Sequence, residues 1–99
     1  MTRMHYILLY DLVPDYLTRR AQFRDSHLAH ARRAFERGDL ILAGALVDPA
    51  DRAILIFSGN SPKAPEEFAL NDPYVKNGLV TSWSVRKWNT VVGEGSSPP

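Results

Sequence analysis

The sequence contains no cysteine. A disulfide framework, a thiolate nucleophile and every cysteine-ligated metal centre are therefore excluded from the outset. It also lacks an excess of either charge: 12 Lys and Arg stand against 11 Asp and Glu, a formal net charge of +1. Surfaces that hold nucleic acid or anionic lipid usually need a clear basic surplus, so neither partner is expected. Long hydrophobic runs are missing as well. The apolar run from Ile7 to Tyr10 is ended by Asp11, too soon for a membrane span or the core of a secretion signal. A cytoplasmic location is then the default expectation.

What remains describes one ordinary folded domain. With 99 residues, 44% hydrophobic and 23% charged, the chain can build a core, yet it is short enough that an extended sheet face needs a partner. Met4 to Tyr10 is almost wholly apolar and reads as a strand buried on both faces. Asp11-Leu12-Val13-Pro14-Asp15 breaks it. From about Tyr16 to Arg37 the pattern is helical, with Gly38 as the stop. At ~100° per residue, Leu17, Ala21, Arg24, Leu28, Ala31 and Phe35 share a stripe, which sets Arg24 in the middle of an apolar face. A charged head there needs a partner or a cavity. His27 falls to one side, in line with Phe23, His30 and Ala34.

Leu40 to Val47 and Ala53 to Ser58 read as two strands of a hairpin around Asp48-Pro49-Ala50-Asp51-Arg52. Gly44 suggests a bulge or a close approach within the first of them. Pro65 to Leu70 predicts a short helix, and Leu79 to Val92 a last strand in which Trp83, Val85 and Lys87 alternate with Ser82, Ser84 and Arg86. The small, proline-ended stretch 93–99 is expected to be a flexible tail beyond a domain of residues 1–92.

The order β-α-β-β-α-β predicts an α+β, ferredoxin-like fold, a four-stranded antiparallel sheet with two helices on one face. Strands apolar on both sides leave the other face to be covered, and a homodimer with its sheets packed face to face is the expected solution. RNA-recognition domains share this order but need aromatic and basic residues on the third strand, which here is Ala53-Ile54-Leu55-Ile56-Phe57.

The chemistry concentrates on His27 and, 45 positions later, Asp72 in Asn71-Asp72-Pro73-Tyr74. An imidazole changes charge near neutral pH, and a carboxylate fixes its tautomer and stabilises its cation. Before a proline, Asp72 is also a natural turn former, and the two roles are compatible. Arg24 is a candidate anion holder, or lays its stem along the core. Tyr10 and Tyr74 are candidate substrate contacts, with core packing as the plainer alternative. His5, His27 and His30 lack an acidic ligand at diagnostic spacing, so no metal is expected. The arginines at 19, 20, 24, 32, 33 and 37 read mainly as a solvated helix face.

Together these pieces carry a family likeness. Arg24 with His27-Leu28, Gly38, Ala43-Gly44, Asp72-Pro73-Tyr74, Gly78-Leu79 and Val85-Arg86-Lys87-Trp88 follow the order and spacing of the YciI-like proteins, which the chain resembles from about Met4 to Val91. The chain departs from that pattern at Ala45, where proline is common, and at Lys63-Ala64-Pro65. The resemblance implies a dimeric α+β barrel with His27 and Asp72 as its acid–base pair and no cofactor. It also implies chemistry like that of the branch that removes HCl from 5-chloro-2-hydroxyhydroquinone, with His27 as base, Asp72 orienting it and Arg24 holding the oxyanion. Two alternatives stay open: a muconolactone-isomerase-like proton shift, and a non-catalytic dimer that binds a small ligand or assists another enzyme.

Overall fold

Alternation with a period of two decides how the central strands lie. In the computed structural model, which describes residues 4–96, β1 (Met4–Leu12) turns Tyr6, Leu8, Tyr10 and Leu12 into the core, and Ile7 and Leu9 lie half-buried on the opposite side. β3 (Arg52–Gly59) repeats the pattern, with Ala53, Leu55 and Phe57 inward and Ile54 and Ile56 outward. β1 runs antiparallel between β3 and β4 (Val80–Trp88), and β2 (Leu40–Ala45) completes a four-stranded sheet in the order β2-β3-β1-β4.

One face of this sheet is covered by helices. α2 (Arg24–Glu36) contributes Ala34, and α3 (Lys63–Asn71) contributes Phe68 and Ala69, to one core with the inward residues of the strands. The Phe57 and Phe68 rings meet edge to face at 5.4 Å. This is the expected α+β ferredoxin-like arrangement. Across the uncovered face, Leu42, Ile56, Ile7 and Arg86 are successive cross-strand neighbours, and Leu42 is 66% exposed.

The first helix differs from its expected form. Instead of one helix over 16–37, α1 (Tyr16–Arg19) passes into a single 3₁₀ turn (Arg20–Gln22) that ends at Phe23, and α2 begins after it. Phe23 leaves the helical basin (φ −116°, ψ 1°), and its carbonyl accepts from both the His27 amide and the Ser26 hydroxyl. The break resets the helical phase. Phe23 and, on α2, His27, Leu28, His30, Ala31 and Ala34 are buried or half-buried, whereas Leu17 and Phe35 from the expected stripe are 58% and 62% exposed. The physical reason lies in Arg24: the straight stripe desolvates a guanidinium, and the rotated one leaves it exposed.

β2 stops at Ala45 rather than Val47, because the chain turns through Asp48, whose backbone is left-handed (φ 53°). The irregularity in β2 lies between Leu40 and Leu42 rather than at Gly44, and a Cβ on Gly44 would meet nothing within 4 Å. β4 stops at Trp88 rather than Val92, since Thr90 leaves the ladder and its hydroxyl pairs with Nδ1 of His5 at 2.7 Å. Of the stretch expected as a tail, residues 93–96 form a turn beside the His5 ring, where a Cβ on Gly95 (φ 78°) would come within 3.1 Å of the imidazole; residues 97–99 lie outside the described residues.

Candidate active site

Asp72 is placed by its neighbour in sequence. Proline at 73 pushes the preceding residue out of the helical basin, and Asp72 accordingly takes φ −73°, ψ 125°, ending α3 and capping α4 (Pro73–Lys76). Its Oδ1 accepts from the Tyr74 amide at 3.0 Å, the ordinary work of an N-cap aspartate. The residue is 0% exposed. A carboxylate at that depth is tolerable only when its lone pairs are occupied, and two further donors reach it: Nδ1 of His27 to Oδ1 at 2.8 Å, and the Tyr10 hydroxyl to Oδ2 at 2.8 Å.

His27 comes from the buried face of α2, one turn after the break. Because the carboxylate is acceptor-only, the His27 nitrogen that faces it carries the proton, leaving Nε2 as the basic nitrogen. The imidazole lies flat on the Tyr74 ring (3.8 Å between centroids, 5° between planes). Tyr74 meets Tyr16 edge to face at 5.7 Å, and the Arg20 guanidinium lies over Tyr16 at 5.4 Å. The other histidines are committed elsewhere: His30 donates to the Phe68 carbonyl at 3.0 Å, and His5 pairs with Thr90.

These groups border a cavity of about 240 Å³ between the helical segment and strands β1, β2 and β3. Apolar side chains such as Leu28, Ala31 and Leu55 form much of its wall; His27, Tyr10, Tyr16, Tyr74, Arg20 and Arg24 supply the polar edge. An apolar cavity of ~150 Å³ accepts a benzene ring, so this one has the size for a single substituted ring.

Two phenols have altered acidity. Burial pushes the Tyr10 hydroxyl far above its ordinary range, and the adjacent Asp72 charge adds to the effect. Tyr10 is thus a permanent donor to Asp72. Burial, then Tyr16, raises Tyr74, with Arg24 acting in the opposite sense. No described residue makes a well-formed hydrogen bond to the buried Tyr74 hydroxyl.

The structure brings His27 and Asp72 together and joins Tyr10 and Tyr74 to them. Tyr10 touches the cavity with its ring and spends its hydroxyl on Asp72; Tyr74 is the platform under His27. Arg24 borders the cavity from an exposed position rather than from the buried stripe. Arg20 and Tyr16 were not singled out from the sequence. Arg20 lies one helical turn before Arg24, the one signal that separates it from the other arginines of that segment.

The sequence pattern of the YCII-related domain matches residues 4–89. No curated protein sequence matches the chain. Among solved structures, the fold is similar to 5-chloro-2-hydroxyhydroquinone dehydrochlorinase from Burkholderia phenoliruptrix AC1100, in complex with 2,5-dihydroxybenzoquinone (20% identity, 95% of this chain and 100% of that one, TM-score 0.73). It is also similar to a NIPSNAP family protein from Agrobacterium tumefaciens (15% identity, 95% and 96%, TM-score 0.59) and to a NIPSNAP-like domain protein from Burkholderia xenovorans (17% identity, 98% and 90%, TM-score 0.58). At these identities the likeness concerns the fold.

Proposed function

Because the chain belongs to the YCII-related domain family, we propose that it is a cofactor-independent acid–base enzyme acting on a small oxygenated ring, with His27 as the proton-transfer group. One observation carries this reading: a fully buried carboxylate, saturated by Tyr10 and the Tyr74 amide, holds His27 by Nδ1 at the edge of a ring-sized cavity. That arrangement fixes the tautomer, and the Asp72 charge stabilises the imidazolium without Asp72 itself taking up the proton or moving.

The best-defined reaction is elimination of HCl from a chlorinated hydroxyquinol, supported by the structural likeness to the dehydrochlorinase. His27 takes a ring hydroxyl proton and returns it to the chlorine-bearing carbon, giving the keto tautomer. Chloride then leaves with its bonding pair while a second hydroxyl gives up its proton. The net loss is HCl, and a hydroxybenzoquinone remains. Positioned proton transfer of this kind contributes ~10²–10⁴-fold, which suits a substrate that already carries a leaving group.

The same reading takes the active form as a homodimer. Ile7, Leu9, Ile54 and Ile56 lie half-buried on the uncovered sheet face beside exposed Leu42, and a second copy supplies a matching apolar surface. The test is chloride release and quinone absorbance from 5-chloro-2-hydroxyhydroquinone, wild type against His27→Ala. Loss of turnover in a variant that keeps its fold supports the proposal. Equal rates overturn it, and binding without turnover in the wild type favours a ligand-binding module.

A further inference from the structure

Two arginines on the cavity have no counter-ion. Arg19, Arg37, Arg52 and Lys63 each have a carboxylate within ion-pair distance. Among the described residues, Arg20 and Arg24 make no ion pair, although both border the cavity. Nor does any carboxylate line that cavity; Asp72 lies behind His27 and Tyr10 with its oxygens taken.

The Tyr74 hydroxyl is the second, independent observation. Tyr74 is 2% exposed and borders the same cavity, and its hydroxyl, which faces Arg24 and Tyr16, makes no well-formed hydrogen bond among the described residues. A buried donor without a well-formed bond is destabilising, and a ligand acceptor would relieve it. Tyr10 cannot do the same work, because its hydroxyl belongs to Asp72.

We propose that this cavity binds its substrate as a ring oxyanion held between Arg20 and Arg24, with the Tyr74 hydroxyl donating to it. The proposal rests on the proton-transfer reading of His27 and adds to it the charge of the substrate and a second guanidinium. Guanidinium groups suit this work, since they present paired donors to planar oxyanions and stay charged. Arg20 lies over the Tyr16 ring at 5.4 Å, which restrains one of them beside the cavity. A neutral ring would leave both cations without a counter-charge. The oxyanion is either an ionised ring hydroxyl or a ring carboxylate.

Calorimetric titration of the His27→Gln variant, in which no base consumes the ligand, tests this with three probes. 2,5-Dihydroxybenzoquinone carries ionised enols at neutral pH, 2,5-dihydroxybenzoate a carboxylate, and hydroquinone no charge. At least one anion should bind tenfold or more tightly than hydroquinone, with the preference shrinking as salt is added; which anion wins identifies the source. Adding Arg20→Gln should cut the anion affinity tenfold or more and leave hydroquinone unchanged, while Arg20→Lys should keep part of it. Equal binding of all three probes, or anion affinity untouched by Arg20→Gln in a variant that keeps its circular dichroism, overturns the proposal. Absence of turnover in the wild type would count against the role of His27 alone, because the charge preference is read without catalysis.

Discussion

His27 and Tyr74 form a parallel stack, 3.8 Å apart and 5° from coplanar, and the backbone amide of that same tyrosine caps the carboxylate that holds the imidazole. One residue thus sets the ring from below and its hydrogen-bond partner from behind. The two parts of Tyr74 separate by mutation. Tyr74→Ala should cost ~3–5 kcal/mol, the usual loss on emptying a buried aromatic site. Tyr74→Phe keeps the stack and removes a buried hydroxyl that makes no well-formed hydrogen bond among the described residues, so its urea midpoint should match or exceed the wild type.

Asp72→Asn leaves one acceptor oxygen where two side-chain donors converge. Turnover should fall ~10²–10⁴-fold, as expected when a positioned proton-transfer group loses its partner. Stability should fall too, by ~1.5–3 kcal/mol, the worth of a hydrogen bond to a charged group. Steady-state kinetics and denaturant unfolding of the same preparation read both.

Alkaline pH should expose Tyr10. Its acidity is weakened in the folded chain, so above the ordinary phenol value of ~10 the unfolded chain releases a proton that the native chain keeps. The unfolded state then binds fewer protons, and stability falls as pH rises, by up to ~1.4 kcal/mol per pH unit for such a group. Below that value the contribution is fully present. Unfolding free energies measured from neutral to strongly alkaline pH should show this decline, and Tyr10→Phe should make it shallower because only Tyr74 then remains raised.

Ile56→Lys places a charge in the middle of the uncovered sheet face, between Leu42 and Ile7 in the cross-strand row. Sedimentation should show a monomer for this variant and a dimer for the wild type at the same concentration. A variant that stays dimeric would place the interface elsewhere.

The sheet was legible because its signals are short-ranged. Alternation along Met4 to Leu12 and Ala53 to Phe57, with helical stretches between strands, determines the layers whatever the details of packing. The Asp72-Pro73-Tyr74 turn was legible for the same reason, since the proline acts on its immediate neighbour. Helix phase was not. The break at Phe23 involves neither proline nor glycine, and it arises from burying His27 and exposing Arg24 together, a tertiary demand that no local pattern records. Arg20 was hard to pick out because its spacing from Arg24 was the one mark that set it apart from the other arginines of that segment.

The double use of Asp72 bears on how activity is traced through relatives. The carboxylate caps α4 and anchors Tyr10 whether or not any reaction occurs, so a descendant that had lost its chemistry would still be held to an aspartate there by folding alone. The imidazole has no such obligation, since among the described residues its one hydrogen bond is to that carboxylate. Position 27 is therefore the informative marker: a chain with the aspartate and no histidine has kept the architecture without the proposed proton-transfer group.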